Sequence, residues 1–445
     1  MAPSHNPGKI DDAVVLRLFL ALFGVVLGLA LLKFPNPPVL EQLVTTPTGF
    51  WEWILTAWPA RYGRGLLCVI GLIGIFLVRR PARLPLPLLL LPLAWLVWVT
   101  LSVVWTLNAK VSNPTWLHLV ACVGCFYAGL LVLGRVSKPW PFFLGLIGAF
   151  VVVLAAGWQQ RWGGLQESRV YFFTYIYPTL KEVSPDLLKK MNSDRIFATL
   201  FYPNSLAGAL LLLTPVVLGA IAVAKNRITA GARWFLAGVV GLGALGCLVW
   251  SGSKGGWLIA LFLSVIAMFR LPTSRRIKIM IASGFLVLGL TGFLARYLGF
   301  FQRGATSVVA RADYARAAWL NIRDHPLLGS GPGTFATVYE AVKPPDAEMT
   351  RLVHNDYLQQ ASDSGILAGL LFTALVVGVL FKTRTAWASR DWLVFGTWLG
   401  LLGFAVQATL EFGFYIPATA WCWFALAGWL LAQAGLRFDN PNADT

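Results

Sequence analysis

Long apolar stretches alternate with short polar connections along most of the chain. A membrane-spanning helix needs about 20 mostly apolar residues. The sequence contains about twelve such stretches, of which 64–78 is the shortest: 13–32, 64–78, 84–105, 115–133, 140–158, 205–224, 233–250, 255–270, 277–295, 364–381, 392–410 and 416–434. The pattern therefore predicts an all-α integral membrane protein with about twelve transmembrane helices.

Composition supports this class of protein. Of the 445 residues, 57% are hydrophobic and 12% are charged, and the mean hydropathy is +0.69. Soluble domains have about 25% charged residues. These values exclude a soluble enzyme, a disordered chain and a disulfide-rich scaffold. All five cysteines fall within apolar stretches, so we expect no disulfide in an outer loop.

The net charge of +17 has two possible origins, an acidic partner or the cytoplasmic bias of membrane proteins. If the N-terminus is cytoplasmic, the cytoplasmic connections hold 15 basic residues and one acidic residue, Asp391. Those basic residues are Arg79, Arg80, Arg83, Arg135, Lys138, Lys225, Arg227, Arg233, Arg270, Arg275, Arg276, Lys278, Lys382, Arg384 and Arg390. The charge therefore predicts a topology with both termini cytoplasmic, and it requires no nucleic-acid partner.

Three long segments are predicted on the outer side, at 33–63, 159–204 and 296–362. Long loops in compact proteins are usually functional, so we expect the active site at the outer membrane–water boundary. The predicted organisation has three parts. They are an N-terminal transmembrane bundle over 1–295, a large outer loop over 296–362 and C-terminal transmembrane helices over 363–445.

The segment 353–369 begins with polar residues and runs directly into an apolar stretch. On a helix, Asp356, Gln360 and Asp363 would share one face, which should point into a cavity or the bundle interior. His354 lies at the outer end, where an imidazole could accept a proton from a hydroxyl near neutral pH. The alternative is a helix cap beside an interfacial histidine.

Upstream, residues 329–333 have the sequence GSGPG and follow a predicted helix that ends before Pro326. The glycines resemble a phosphate-binding loop, but the Lys-Ser/Thr pair and the flanking strand of that motif are missing. A tight structural turn is the better interpretation.

Five cations are predicted on the same outer face as His354: Arg195, Lys254, Arg311, Arg316 and Arg351. The cytoplasmic bias does not explain them. Together they would suit a diphosphate, although Arg195 and Lys254 could instead be anchors at the membrane surface. The predicted outer segments contain no paired carboxylates, so we expect no metal site and no cofactor.

Five segments together resemble the O-antigen ligase/polymerase superfamily of bacterial membrane glycosyltransferases. They are Arg195 to Ala207, Ser253 to Gly256, Trp319 to Phe335, His354 to Leu358 and Asp363 to Gly369. The resemblance covers roughly 195–420. It implies a GT-C-like bundle of about twelve helices with a large periplasmic loop, in the bacterial inner membrane.

The resemblance also implies the chemistry. A glycan would pass from undecaprenyl diphosphate to an acceptor hydroxyl, with inversion and without a metal. The acceptor would be lipid A–core or a growing glycan. His354 is similar to the family's essential histidine, proposed as general base or acceptor-positioning residue, and Arg195 and Lys254 are similar to its diphosphate-binding pair. Supporting roles fall to Asn204, Asn355, Asp356, Asp363 and Glu411.

Two positions depart from the family, which commonly has Arg at Lys254 and Glu at Asp363. The segment Glu411 to Ala418 resembles polysaccharide-polymerase members, so ligase and polymerase both remain open. A lipid-linked-glycan transporter is the alternative from another class, because twelve spans are compatible with it. The oligomeric state is left open.

Overall fold

The computed structural model describes residues 12–78, 86–179, 188, 191–200, 202–270, 272–302, 306–345 and 347–437. The predicted cytoplasmic residues Arg79, Arg80 and Arg83 lie outside these ranges. Across the described ranges the regular structure is helical and no strand occurs. The all-α prediction is confirmed for this part of the chain.

The helices are numbered in chain order. They are α1 (Asp12–Lys33), α2 (Phe50–Leu55), α3 (Ala60–Ile75), α4 (Leu86–Val104), α5 (Ala109–Leu131), α6 (Trp140–Gln159), α7 (Leu165–Tyr171), α8 (Pro203–Val223), α9 (Ala230–Ser251), α10 (Lys254–Met268), α11 (Arg275–Gln302), α12 (Thr306–Asp324), α13 (Phe335–Val342), α14 (Asp356–Lys382), α15 (Trp392–Gln407) and α16 (Pro417–Arg437).

Each apolar stretch that was predicted to span the membrane coincides with a helix. In the part of the chain that the structure describes, fewer than twelve of these helices are long and apolar enough to cross a membrane. Within the described residues, 8 helices are long and apolar enough to cross a membrane. Helices α10 and α15 are apolar but contain only 15 and 16 residues, and α3 contains 16. These lengths fall below the roughly 17–25 residues of a spanning helix. The predicted count of about twelve is therefore not confirmed.

The core is built from paired helices. Helix α8 packs along α15, α5 along α16, α1 along α6 and α4 along α14. Helix α16 is surrounded by the other helices, and its tryptophans Trp421, Trp423 and Trp429 are fully buried. A helix that is buried on all sides belongs to the centre of a bundle.

Small residues set the distance between α8 and α15. A Cβ atom on Gly400 would lie 2.0 Å from the carbonyl oxygen of Leu212, and one on Gly396 would lie 2.1 Å from that of Pro215. No side chain fits at these points. Glycine at helix contacts lets two backbones approach closely, as is common in membrane bundles.

The connections gather at two ends of the bundle. At one end, Lys138 forms an ion pair with Asp391 at 3.8 Å, and the Arg270 guanidinium donates to the carbonyl of Ser389 at 2.5 Å. At the other end, Leu107 N–H donates to the carbonyl of Ser330. The second end, here called the site end, also contains the candidate functional residues.

Several boundaries at the site end differ from those expected. Helix α11 continues beyond residue 295, where the large loop was predicted to begin, to Gln302. Helix α14 begins at Asp356 because the Asn355 side chain caps it by accepting from Leu358 N–H at 3.0 Å. The segment between them contains α12 and α13, so much of the predicted outer loop is helical.

We predict that Gly400→Ala destabilises the bundle by about 1–3 kcal/mol, because the new methyl group would overlap the backbone of α8. Thermal unfolding of the purified protein in detergent would measure the change. Gly65→Ala in α3 is the matched control, since a Cβ atom there would meet nothing within 4 Å. Equal melting temperatures for the two variants would contradict the close contact.

Candidate active site

The buried carboxylate of Glu411 joins three segments that are distant in sequence. One oxygen accepts from Asn204 Nδ2 at 2.6 Å and from the Arg311 guanidinium, and the other lies 3.0 Å from His354 Nδ1. The Glu411 side chain is 11% exposed. Residue 411 lies in the short turn between α15 and α16, and its partners lie in α8, in α12 and immediately before α14.

The environment of Glu411 favours its ionised form. Burial alone would raise the pKa of this carboxyl, but the charges and hydrogen bonds of His354 and Arg311 outweigh that effect. The pKa of Glu411 is therefore lowered from its ordinary value of 4.5. With the carboxylate ionised, His354 Nδ1 must carry the proton of their hydrogen bond, and Nε2 lies on the opposite side of the ring.

Arg195 is connected to this carboxylate through an amide. Its guanidinium donates from Nη2 to the Asn204 side-chain oxygen at 2.7 Å and from Nε to the Ser251 carbonyl at 2.7 Å. Burial lowers the pKa of Arg195 below its ordinary value, and the Glu411 charge acts against that change. The predicted residues Arg195, Asn204, Glu411 and His354 therefore form one continuous network.

His354 is held in an uncommon backbone conformation, with φ at +59°. The left-handed region costs a non-glycine residue on the order of 1–3 kcal/mol. Its ring stacks on Tyr314 at 5.6 Å and meets Phe412 edge-on at 4.7 Å, measured between ring centroids. With the side chain 24% exposed, the imidazole is fixed between two aromatic rings and still reaches the surface.

Lys254 lies beside this network at the first position of α10. Its ammonium is 3.8 Å from the centre of the Phe300 ring and 5.2 Å from that of Tyr297. The aromatic faces attract the cation without neutralising it. Lys254 is half-buried and lies close enough to Arg195 for the charge of that guanidinium to lower the pKa of its ammonium, after the larger effect of burial.

The other predicted cations differ in their surroundings. Arg311 donates to the carbonyls of Leu410 and Ser307 as well as to Glu411, so much of its hydrogen-bonding capacity is used within the protein. Arg316 and Arg351 are exposed. The structure thus brings Arg195, Lys254 and Arg311 to the network and leaves Arg316 and Arg351 at the surface.

Asp363 holds the glycine-rich turn against α14. Its carboxylate accepts from Gly333 N–H at 2.7 Å, from the Tyr415 hydroxyl at 2.8 Å and from the Gln359 amide at 2.8 Å. Gly331 N–H donates to the Asp363 carbonyl. The structure therefore places Asp363 in the scaffold of the site.

The turn itself requires glycine at several positions. Gly329, Gly331 and Gly333 have φ values of +63°, +108° and +76°, which only glycine adopts readily. Helix α14 is kinked at Gly365, where φ is +86° and a Cβ atom would lie 1.9 Å from the Leu327 carbonyl oxygen. The geometry agrees with a tight structural turn at 329–333.

Asp356 and Gln360 are also buried within the bundle. Asp356 accepts from Phe414 N–H at 3.0 Å, and Gln360 donates to the Tyr415 hydroxyl at 2.8 Å. The polar face of α14 thus fixes the connection between α15 and α16. That connection carries Glu411, so these residues position the carboxylate.

The sequence alone did not single out the aromatic residues of the site. Tyr314 and Phe412 enclose His354, and Tyr297 and Phe300 enclose Lys254. Aromatic residues are common throughout this chain, so nothing local marked these four.

Within the described residues, no group of three or more His, Cys, Asp or Glu side chains is arranged to hold a metal ion.

We predict that Glu411 makes wild-type stability sensitive to acid. Because its folded-state pKa lies below the unfolded value, ionised Glu411 stabilises the fold above about pH 4.5. This contribution is lost as the pH falls from there through the folded pKa. Thermal unfolding of wild type and Glu411→Gln over this range would test it, with the Glu340→Gln variant as a surface control. An identical acid dependence in wild type and Glu411→Gln would contradict the assignment.

Comparison with known families agrees with the motifs around this site. Residues 239–373 match a family model described as O-antigen ligase. The matched region includes Lys254, Arg311 and His354, and it ends before Glu411. A search of curated proteins finds no match. The apolar helices indicate a protein that crosses a membrane several times. The match over residues 239–373 therefore supports the assignment of the chain to the O-antigen ligase superfamily, as a membrane protein of the ligase/polymerase type.

Proposed function

We propose that the protein transfers a glycan from undecaprenyl diphosphate to an acceptor hydroxyl, as an inverting enzyme that needs no metal. The observation that carries this proposal is the buried Glu411–His354 pair with cations around it. A carboxylate that orients an imidazole is a recurrent arrangement for removing a proton from a hydroxyl. The family match supports a glycosyltransferase-like enzyme.

His354 would receive the proton of the acceptor. In the neutral ring, Glu411 would keep the proton on Nδ1, which would leave the lone pair of Nε2 to accept a proton. The acceptor oxygen would attack the anomeric carbon as its proton passes to Nε2. The bond between that carbon and the diphosphate oxygen would break, and its electrons would leave with the diphosphate.

Arg195 and Lys254 would hold the diphosphate and stabilise the charge that develops on it. Guanidinium groups form paired hydrogen bonds with phosphate oxygens, and an ammonium adds a point charge. Preorganised charges of this kind are among the largest contributions to catalysis. Arg311 is bonded to Glu411, which favours a positioning role for it, and Arg316 and Arg351 would meet more distant parts of the substrates.

The proposed setting is the periplasmic face of the bacterial inner membrane, with both termini cytoplasmic. A ligase that uses lipid A–core is our first proposal for the acceptor. A polymerase that uses a growing glycan is the second candidate. The central role of Glu411 favours it, because this residue begins the segment that resembles polymerases. The length of glycan attached to each acceptor would distinguish the two.

We predict that His354→Ala lowers the rate of glycan transfer by about 10²–10⁴-fold, the usual contribution of a general base. The assay is transfer from a polyprenyl-diphosphate glycan by purified protein in detergent. His325→Ala is the matched control, because His325 is exposed at the end of α12. Turnover by His354→Ala at the wild-type rate would remove this residue from the mechanism.

We predict that the charge at position 254 matters more than the shape of the side chain. Lys254→Gln should reduce kcat/KM for the donor by about tenfold or more, because a charge-assisted contact contributes about 1.5–3 kcal/mol. Lys254→Arg should retain most of the activity. Equal activity of Lys254→Gln and wild type in the same transfer assay would count against a contact with the diphosphate.

A further inference from the structure

A groove of about 400 Å³ opens at the site end, next to Arg195 but separate from the His354 network. One wall is the segment that follows α6, including Arg161 and Gln166, and the other is formed by the ends of α9 and α11. Its volume lies in the range of small-ligand sites, about 300–1,000 Å³. The mechanism proposed above does not use this groove.

Two arginines give the groove a positive charge, and neither forms an ion pair with a carboxylate among the residues that the structure describes. Arg161 and Arg296 are both exposed, on opposite walls. The guanidinium of Arg161 lies 5.8 Å from the ring centre of Trp250, and Arg296 reaches the Val249 carbonyl at 3.4 Å. Neither contact uses a carboxylate. The third arginine, Arg169, pairs with Asp194 at 2.7 Å.

An indole surface accompanies these charges. Trp250 lines the groove and packs edge-on against Trp158, with the ring centroids 4.7 Å apart. Trp162 lies beside Trp250 and is 74% exposed. Aromatic rings pack against the apolar C–H face of a sugar, while guanidinium groups bind carboxylates with paired hydrogen bonds.

The floor of the groove is fixed by hydrogen bonds. The Gln160 side chain accepts from the N–H groups of Phe197 and Ala198 and donates to the Ala198 carbonyl at 3.0 Å. Ile196 N–H donates to the Trp250 carbonyl at 3.2 Å. Asp194 and Ile196 therefore line the groove, while Arg195 between them turns toward Asn204.

We propose that this groove binds an acidic sugar unit of the glycan carried by the donor. The inference rests on the proposed function, in which Arg195 holds the diphosphate of that donor. This unit would lie further along the glycan than the sugar that is bonded to the diphosphate, and the backbone of residues 194–196 would lie between the groove and the diphosphate. Arg161 and Arg296 would bind the sugar's carboxylate, and the tryptophans would contact its ring.

Isothermal titration of the full-length protein in detergent tests the proposal with three probes, tetragalacturonate, maltotetraose and inorganic diphosphate. Tetragalacturonate should bind the wild type more tightly than uncharged maltotetraose does. Its affinity should fall about tenfold or more in Arg161→Gln and in Arg296→Gln, since each removes a charged hydrogen-bonding partner. Arg323→Gln is the control, because Arg323 is exposed at the end of α12 and pairs with Asp324.

Three results would overturn the proposal. In the first, the wild type binds the two oligosaccharides equally. In the second, both arginine variants bind tetragalacturonate as tightly as the wild type does. In the third, these variants lose as much affinity for diphosphate as for tetragalacturonate. The melting temperature of each variant shows whether it is folded.

His354→Ala should bind tetragalacturonate as the wild type does. If this variant also transferred glycan normally, the proposed catalytic role would fail while the groove assignment would stand.

Discussion

The buried carboxylate of Glu411 is the interaction on which the geometry of the site depends. A carboxylate removed from water is costly unless charges and hydrogen bonds compensate for it. Here His354, Arg311 and Asn204 supply that compensation. The network also fixes the positions of these three residues, so one desolvated charge orders groups from three different parts of the fold.

A second layer of polar contacts supports the first. Asp363 ties the glycine-rich turn to α14 and to Tyr415, and Asp356 binds the backbone of Phe414. Both contacts fix the connection that contains Glu411. The arrangement follows the general rule that precise sites need supporting hydrogen bonds behind the groups that touch the substrate.

Hydropathy predicted the helices well because burial in a membrane bundle and an apolar sequence are closely related. The lengths of α10 and α15 were less predictable, since the caps and turns that end them depend on neighbouring segments.

His354 and the outer cations were found from residue type and expected side of the membrane. The partnership of His354 with Glu411 could not be found in this way, because 57 positions separate them along the chain. The enclosing ring of Tyr314 likewise depends on tertiary packing.

The order of the network along the chain has a consequence for biosynthesis. Arg195, Asn204, Arg311 and His354 all precede Glu411, which follows α15. Chains are made from the N-terminus, so the earlier residues leave the ribosome while the carboxylate is still unsynthesised. The site can therefore be complete only after the connection between α15 and α16 has been made. A nascent chain that stops before this pair holds its cations and its histidine without the charge that aligns them.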